Sequence, residues 1–116
     1  STTAPTPLPT LPPGAQIELL GPPPDTTWVG NQPVTFYWQW PYPLANNQQF
    51  VVVIQTNGEE QRLGAVDQPN LGTGYRLQAV LPTNGELVWE VRLETKAALA
   101  PLISSERRIL TIISPP

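Results

Sequence analysis

The sequence predicts an all-β fold, an antiparallel sandwich of two sheets and about seven strands, carried on an extended proline-rich N-terminal arm. Three observations lead there. Apolar and polar residues alternate with a period of two in successive short runs, most cleanly in residues 34–40 (VTFYWQW) and 86–96 (ELVWEVRLETK), as in a strand with one buried face. Turn formers separate the runs, namely Gly21-Pro22-Pro23-Pro24, Asn57-Gly58 and Asn84-Gly85, as in an all-β domain. The sixteen prolines are unevenly placed, half of them falling between Pro5 and Pro24. They divide the chain into an arm over residues 1–15 and a single domain over 16–114.

The arm (STTAPTPLPTLPPG) alternates proline with threonine and small residues. Proline fixes φ and removes an amide donor, so the stretch favours polyproline II and cannot build a core of its own. It reads either as a stiff linker or as a segment that docks on a partner through Pro5, Pro7, Leu8, Pro9 and Leu11.

Within the domain the first strand is expected over residues 16–20, ending at the triple proline. In residues 34–40, Val34, Phe36, Trp38 and Trp40 share the inward face and Thr35, Tyr37 and Gln39 the outward one, until Pro41 and Pro43 stop the strand. Residues 50–55 (FVVVIQ) are apolar on both faces, a strand covered on both sides or awaiting cover. Asn57-Gly58 turns it into a weaker return strand over 60–66. Residues 74–81 place Tyr75, Leu77, Ala79 and Leu81 inward. After Asn84-Gly85, residues 86–96 put Leu87, Trp89, Val91 and Leu93 inward and Glu90, Arg92, Glu94 and Lys96 outward as a surface charge ladder. Residues 107–113 close the domain. Residues 96–100 are expected to form a loop with at most one helical turn, since Pro101 follows at once.

Composition excludes several functions. There is no cysteine and no histidine, so a disulfide framework, a thiolate metal site and the commonest general base are all absent, and no cofactor is expected. A net charge of −3 with scattered lysines and arginines leaves no footprint for nucleic acid. No apolar run approaches the ~20 residues of a membrane-spanning helix. Glu59-Glu60 follows a turn and reads as a solvated loop end rather than a catalytic pair. Asp25 and Asp67 lack the further oxygen ligands that calcium requires. The chain is therefore expected not to be an enzyme. Its opening Ser-Thr-Thr-Ala-Pro-Thr-Pro, in a chain without methionine, suits a processed N-terminus and an exported protein.

The run Val34-Thr35-Phe36-Tyr37-Trp38, the strand around Tyr75, the stretch Leu81…Gly85…Trp89-Glu90-Val91-Arg92-Leu93 and the closing residues 105–112 (SERRILTI) occur in an order that resembles bacterial fibronectin type III-like domains. Trp38 stands where that family has an inward tryptophan on its second strand. Trp89, Val91 and Leu93 match its aromatic-x-Val-x-Ala strand, and Leu110 and Ile112 its last strand. Leu87 replaces the tyrosine of the tyrosine corner, and Leu93 the usual alanine, which leaves another immunoglobulin-like sandwich open. The resemblance implies no catalytic residues and a role as spacer, adhesion module or appendage.

Two functional readings follow. In the first, the protein is an extracellular or cell-surface structural or interaction module, a subunit of a surface assembly or filament. Its arm would hold a neighbour, and Tyr37, Val51 and Val53, pointing away from the core, would supply subunit contacts. In the alternative, it is an accessory module binding polysaccharide through Trp28, Trp40 and Tyr42, all expected in proline-broken loops.

Overall fold

The computed structural model describes residues 14–70, 72–81, 84–98 and 101–114. They form nine strands: β1 (Glu18–Gly21), β2 (Thr26–Val29), β3 (Val34–Gln39), β4 (Gln48–Thr56), β5 (Glu59–Val66), β6 (Gly74–Ala79), β7 (Gly85–Thr95), β8 (Pro101–Ser104) and β9 (Arg108–Ile113). One sheet has the order β1-β3-β6. The other has the order β2-β9-β7-β4-β5, with β8 also paired to β7. All pairings are antiparallel except that of β2 with β9. Among the described residues there is no helix, and hence none long and apolar enough to cross a membrane.

The alternation read from the sequence sets the core. Phe36, Trp38 and Trp89 are fully buried, as are Phe50, Val52, Ile54, Val91, Leu93 and Leu110. They meet between the two sheets as interlocked aromatic rings. The Phe36 and Trp89 centroids lie 4.9 Å apart edge to face, and Trp38 stacks on Tyr75 at 6.1 Å while Phe50 meets it edge-on at 5.7 Å. Such offset and edge-to-face contacts are the favoured geometries of aromatic packing.

Two of the nine strands were not foreseen. β2 holds only four residues, and β8 opens on Pro101, so neither carries a readable period. Trp28 therefore lies on a strand rather than in a loop. β8 and β9 are two halves of one edge partner for β7. β9 pairs with residues 85–89 and β8 with 92–94. Between them Ser105 keeps the ladder closed: its amide donates to the Val91 carbonyl at 2.8 Å, and its Oγ accepts from the Val91 amide at 2.9 Å. The loop expected before Pro101 begins as a turn over residues 96–98.

Val51 and Val53 correct a second expectation. Both point away from the core, yet each is 0% exposed and so offers no subunit contact. The reason lies in the strand order, which places β4 between β5 and β7. Arg62 of β5 bridges to Glu94 of β7, and Arg92 of β7 bridges to Glu60 of β5, so both ion pairs span β4 above the valines. Long arginine stems cover apolar surface in this way while their charged ends are satisfied. Glu90 and Glu94, read as a solvated ladder, are consequently buried at 5% and 1% exposure.

The β4–β5 hairpin closes through Asn57 (φ 54°) and Gly58 (φ 80°), both left-handed as a type I′ turn requires. A Cβ added at Gly58 would touch nothing within 4 Å, so only backbone strain opposes a side chain there. Gly58→Ala is expected to cost about 1 kcal/mol, measurable as a fall in urea midpoint with unchanged slope.

Candidate binding cleft at one pole of the sandwich

β3 and β7 each run from one pole of the sandwich to the other. At the pole where β3 ends, the β3–β4, β5–β6 and β7–β8 connections converge and enclose a cleft of ≈ 480 Å³. Its apolar wall is made by Trp40, Tyr42 and Tyr75 with Pro41, Pro43 and Pro69, and its polar rim includes Asn46, Gln48, Asp67, Gln68, Thr73 and Lys96.

The sequence builds this wall in a simple way. Trp40 continues the inward face of β3 one step past the strand end, and its amide donates to the Thr73 carbonyl at 3.0 Å. Its ring lies at 6.0 Å from Phe50 and 5.1 Å from Tyr42, edge to face in both cases. Pro41 and Pro43 then force the chain out of the sheet, leaving Tyr42 half-buried across the mouth of the cleft.

The three connections are tied to each other. The Lys96 amide donates to the Asn47 carbonyl at 2.7 Å, and Lys96 Nζ donates to Asp67 Oδ2 at 2.7 Å. That contact holds the Asp67 carboxyl below its ordinary value. Burial alone pushes the Tyr75 phenol up, so it stays neutral. Gln39 Nε2 donates to Thr73 Oγ1 at 3.2 Å, and the Asn70 amide to the Gly74 carbonyl at 2.8 Å.

One side chain in the cleft is incompletely satisfied. Gln48 is 4% exposed, and its Oε1 accepts from the Ala45 amide at 3.0 Å. That bond fixes which end of the amide is oxygen. Its Nε2 is buried and has no acceptor among the described residues. A buried amide donor without a partner costs about 1–3 kcal/mol, so this end of Gln48 is a local weak point beneath the cleft floor.

A second groove, of ≈ 610 Å³, runs beside the first between the start of the domain and the β8–β9 junction. Gly14, Ile17, Gln39, Ser104 and Glu106 line it, together with Pro41 and Tyr42. Pro41 and Tyr42 thus form a ridge common to both depressions.

The aromatic platform of Trp28, Trp40 and Tyr42 is not assembled. Trp28 sits opposite Ile112, which pairs with the first residue of β7, whereas Trp40 and Tyr42 border Lys96 just past its last. Eleven residues of strand, roughly 35 Å at 3.3 Å each, separate the two ends. Trp28 is half-buried and its indole N–H donates to the Gln32 carbonyl at 3.2 Å. Trp40 is only 2% exposed and supplies an edge of the wall rather than a stacking face. Of the three, Trp40 and Tyr42 line the cleft, and Tyr42 is the more exposed of the two.

Tyr37 is 42% exposed on the outer face of the smaller sheet, opposite Arg76. Pro5, Pro7, Leu8, Pro9 and Leu11 lie outside the described residues. Gln48 carries no mark in the sequence, because nothing there distinguishes it from the glutamine beside it. Among the described residues no three acidic side chains gather as a metal site would need.

No family model matches the chain, and no curated protein matches it. Among solved structures it is similar to the crystal structure of chicken CNTN1 FN1-FN3 domains, at 16% identity and a TM-score of 0.42 over 89% of this chain and 37% of that one. The chain spans little more than a third of that protein chain's length. The class is set by strand order and register: a two-sheet, immunoglobulin-like sandwich in which β5 joins the larger sheet through β4, as in fibronectin type III-like domains.

Proposed function

We propose that the domain is a non-enzymatic interaction module of an exported or cell-surface protein, and that it binds an extended, proline-rich segment of a protein partner in the cleft beside Tyr42. The observation that carries this reading is the cleft wall of tyrosine, tryptophan and proline side chains edged by the donor-bearing side chains of Asn46, Gln68 and Lys96. A polyproline II segment keeps its carbonyls free and offers few amide donors, so a donor set against aromatic faces is the complement it needs. The ties between Lys96 and the other two connections hold the cleft in shape before a ligand arrives, which lowers the ordering cost of binding.

A polysaccharide is the second reading, favoured by the amides of Asn46 and Gln68 along the same rim. Titration of the full chain with fluorescein-labelled decaproline separates the two. Saturable binding is expected, weakened about tenfold by Tyr42→Ala, the ~1.4 kcal/mol appropriate to a lost aromatic contact. Retention on a soluble β-glucan in affinity electrophoresis, abolished by the same substitution and without decaproline binding, would establish the polysaccharide instead.

A further inference from the structure

We infer that Asn57 is a site of spontaneous covalent modification, where the chain converts an asparagine to isoaspartate and so loosens the β4–β5 hairpin. The reaction needs a carboxamide free to turn, followed by a backbone amide that no side chain shields. Glycine, lacking a Cβ, leaves its nitrogen open to approach. Of the asparagines in the sequence, Asn57 and Asn84 precede glycine, whereas Asn31, Asn46, Asn47 and Asn70 precede residues that carry a side chain.

The structure separates the two candidates. Asn57 and Gly58 are both exposed at the tip of the hairpin. Thr56 and Glu59 close the ladder around them, so the Gly58 amide lies outside the strand pairing. A Cβ added at Gly58 would meet nothing within 4 Å, and water reaches the turn freely. The hairpin's side-chain bonds run from Gln55 to Glu60 and across to β7, and among the described residues none engages Asn57. Asn84 is held instead. Its Nδ2 donates to Ser114 Oγ at 3.2 Å, and its Oδ1 lies against Gly30, where an added Cβ would stand 3.2 Å from it. Gly85 is already the first residue of β7, paired with Ile112. Breaking such a hydrogen bond on the way to the reactive conformer slows Asn84 about tenfold relative to Asn57.

In the reaction the Gly58 amide nitrogen, on losing its proton, attacks Asn57 Cγ. The new C–N bond closes a five-membered imide as the Cγ–Nδ2 bond breaks, and the amide leaves as ammonia. Water then opens the ring at either carbonyl, giving aspartate or isoaspartate with the Gly58 nitrogen reprotonated. Isoaspartate carries the main chain through its side-chain carboxyl, which lengthens a two-residue turn that only a narrow geometry closes. Either product also adds a carboxylate beside Glu59 and Glu60. The strand that this turn sets in register is β5, which supplies the Arg62 and Glu60 of the ion pairs over β4.

Incubation of the full chain at mildly alkaline and mildly acidic pH, followed by peptide mapping and enzymatic isoaspartyl methylation, tests this. Conversion is expected at Asn57 about tenfold faster than at Asn84, faster at the alkaline pH, and at similar rates at both sites once the chain is unfolded in urea. Asn57→Asp should remove the fast phase. The isoaspartyl fraction, separated by ion exchange, should show a lower urea midpoint than the untreated protein. Equal rates at Asn57 and Asn84 in the folded chain overturn the site. An isoaspartyl fraction with an unchanged midpoint overturns the loosening of the hairpin.

Discussion

Trp38→Ala is expected to bring the domain close to unfolding at ambient temperature. Trp38 is 0% exposed and sits between Tyr75, Phe50 and the opposite strand's Leu19. It therefore links the small sheet to the large one. Truncating so large a buried ring costs about 3–5 kcal/mol, the lost transfer free energy plus the cavity left behind, against a total of about 5–15 kcal/mol for a domain of this size. The thermal midpoint should fall by roughly 15–30 °C. Far-UV circular dichroism is the appropriate readout, since the substitution removes a fluorophore. Trp38→Phe should be much milder, at under about 2 kcal/mol. It keeps the ring contacts with Phe50 and Tyr75 and deletes an indole N–H that is buried with no acceptor among the described residues, a donor that is costly to leave unpaired. Because Tyr75 also lines the cleft, decaproline binding should weaken in the alanine variant and persist in the phenylalanine one.

The core was legible because burial on one face of a strand imposes a period of two, and Val34 to Trp40 and Leu87 to Leu93 obey it without interruption. Trp40 is the instructive residue. Its place on the inward face of β3 follows from alternation, while the prolines after it suggest an exposed loop. Alternation prevails because Pro41 ends the strand only after Trp40 has been paired to Thr73.

What was not legible depends on contacts between distant segments. β2 is held by parallel pairing to β9, more than eighty residues later in the chain, and four residues carry too little pattern to announce it. Val51 and Val53 have the composition of an exposed apolar face. Their cover comes from residues on the two flanking strands, in a register that a bulge between Val52 and Val53 fixes. Gln48 is likewise marked only by where its backbone lands. The cleft is thus written in the meeting of three connections, each unremarkable when read alone.

The same register makes the second large effect predictable. Arg62 reaches Glu94 with both terminal nitrogens, Nη1 to Oε1 at 2.7 Å and Nη2 to Oε2 at 2.5 Å, and Gln49 Nε2 adds a third donor at 2.7 Å. The Arg62 contact, opposed by burial, holds the Glu94 carboxyl below its ordinary value of 4.5. Removing one partner of a fully buried pair costs about 3–5 kcal/mol. Here the Arg62 side chain is 38% exposed and Gln49 remains, so Arg62→Ala is expected to cost about 2–3 kcal/mol, a loss of roughly 10–20 °C in thermal midpoint. The pH dependence carries the sign of the effect. A depressed carboxyl pKa contributes stability that is fully present above the ordinary value and is lost as pH falls below 4.5 through the depressed one. Glu60, lowered by its hydrogen bond to Arg92, acts in the same direction, so the native protein should lose stability over that window. In Arg62→Ala, Glu94 stays buried with Gln49 and Arg92 but without its guanidinium partner, and burial, now less opposed, raises its pKa relative to the native chain. Protonation relieves the variant where it harms the native chain, and the difference in midpoint between them should shrink as pH falls from 7 to 3. A difference that stayed constant across that range would mean that Arg62 acts on β4 through its apolar stem and not through its charge.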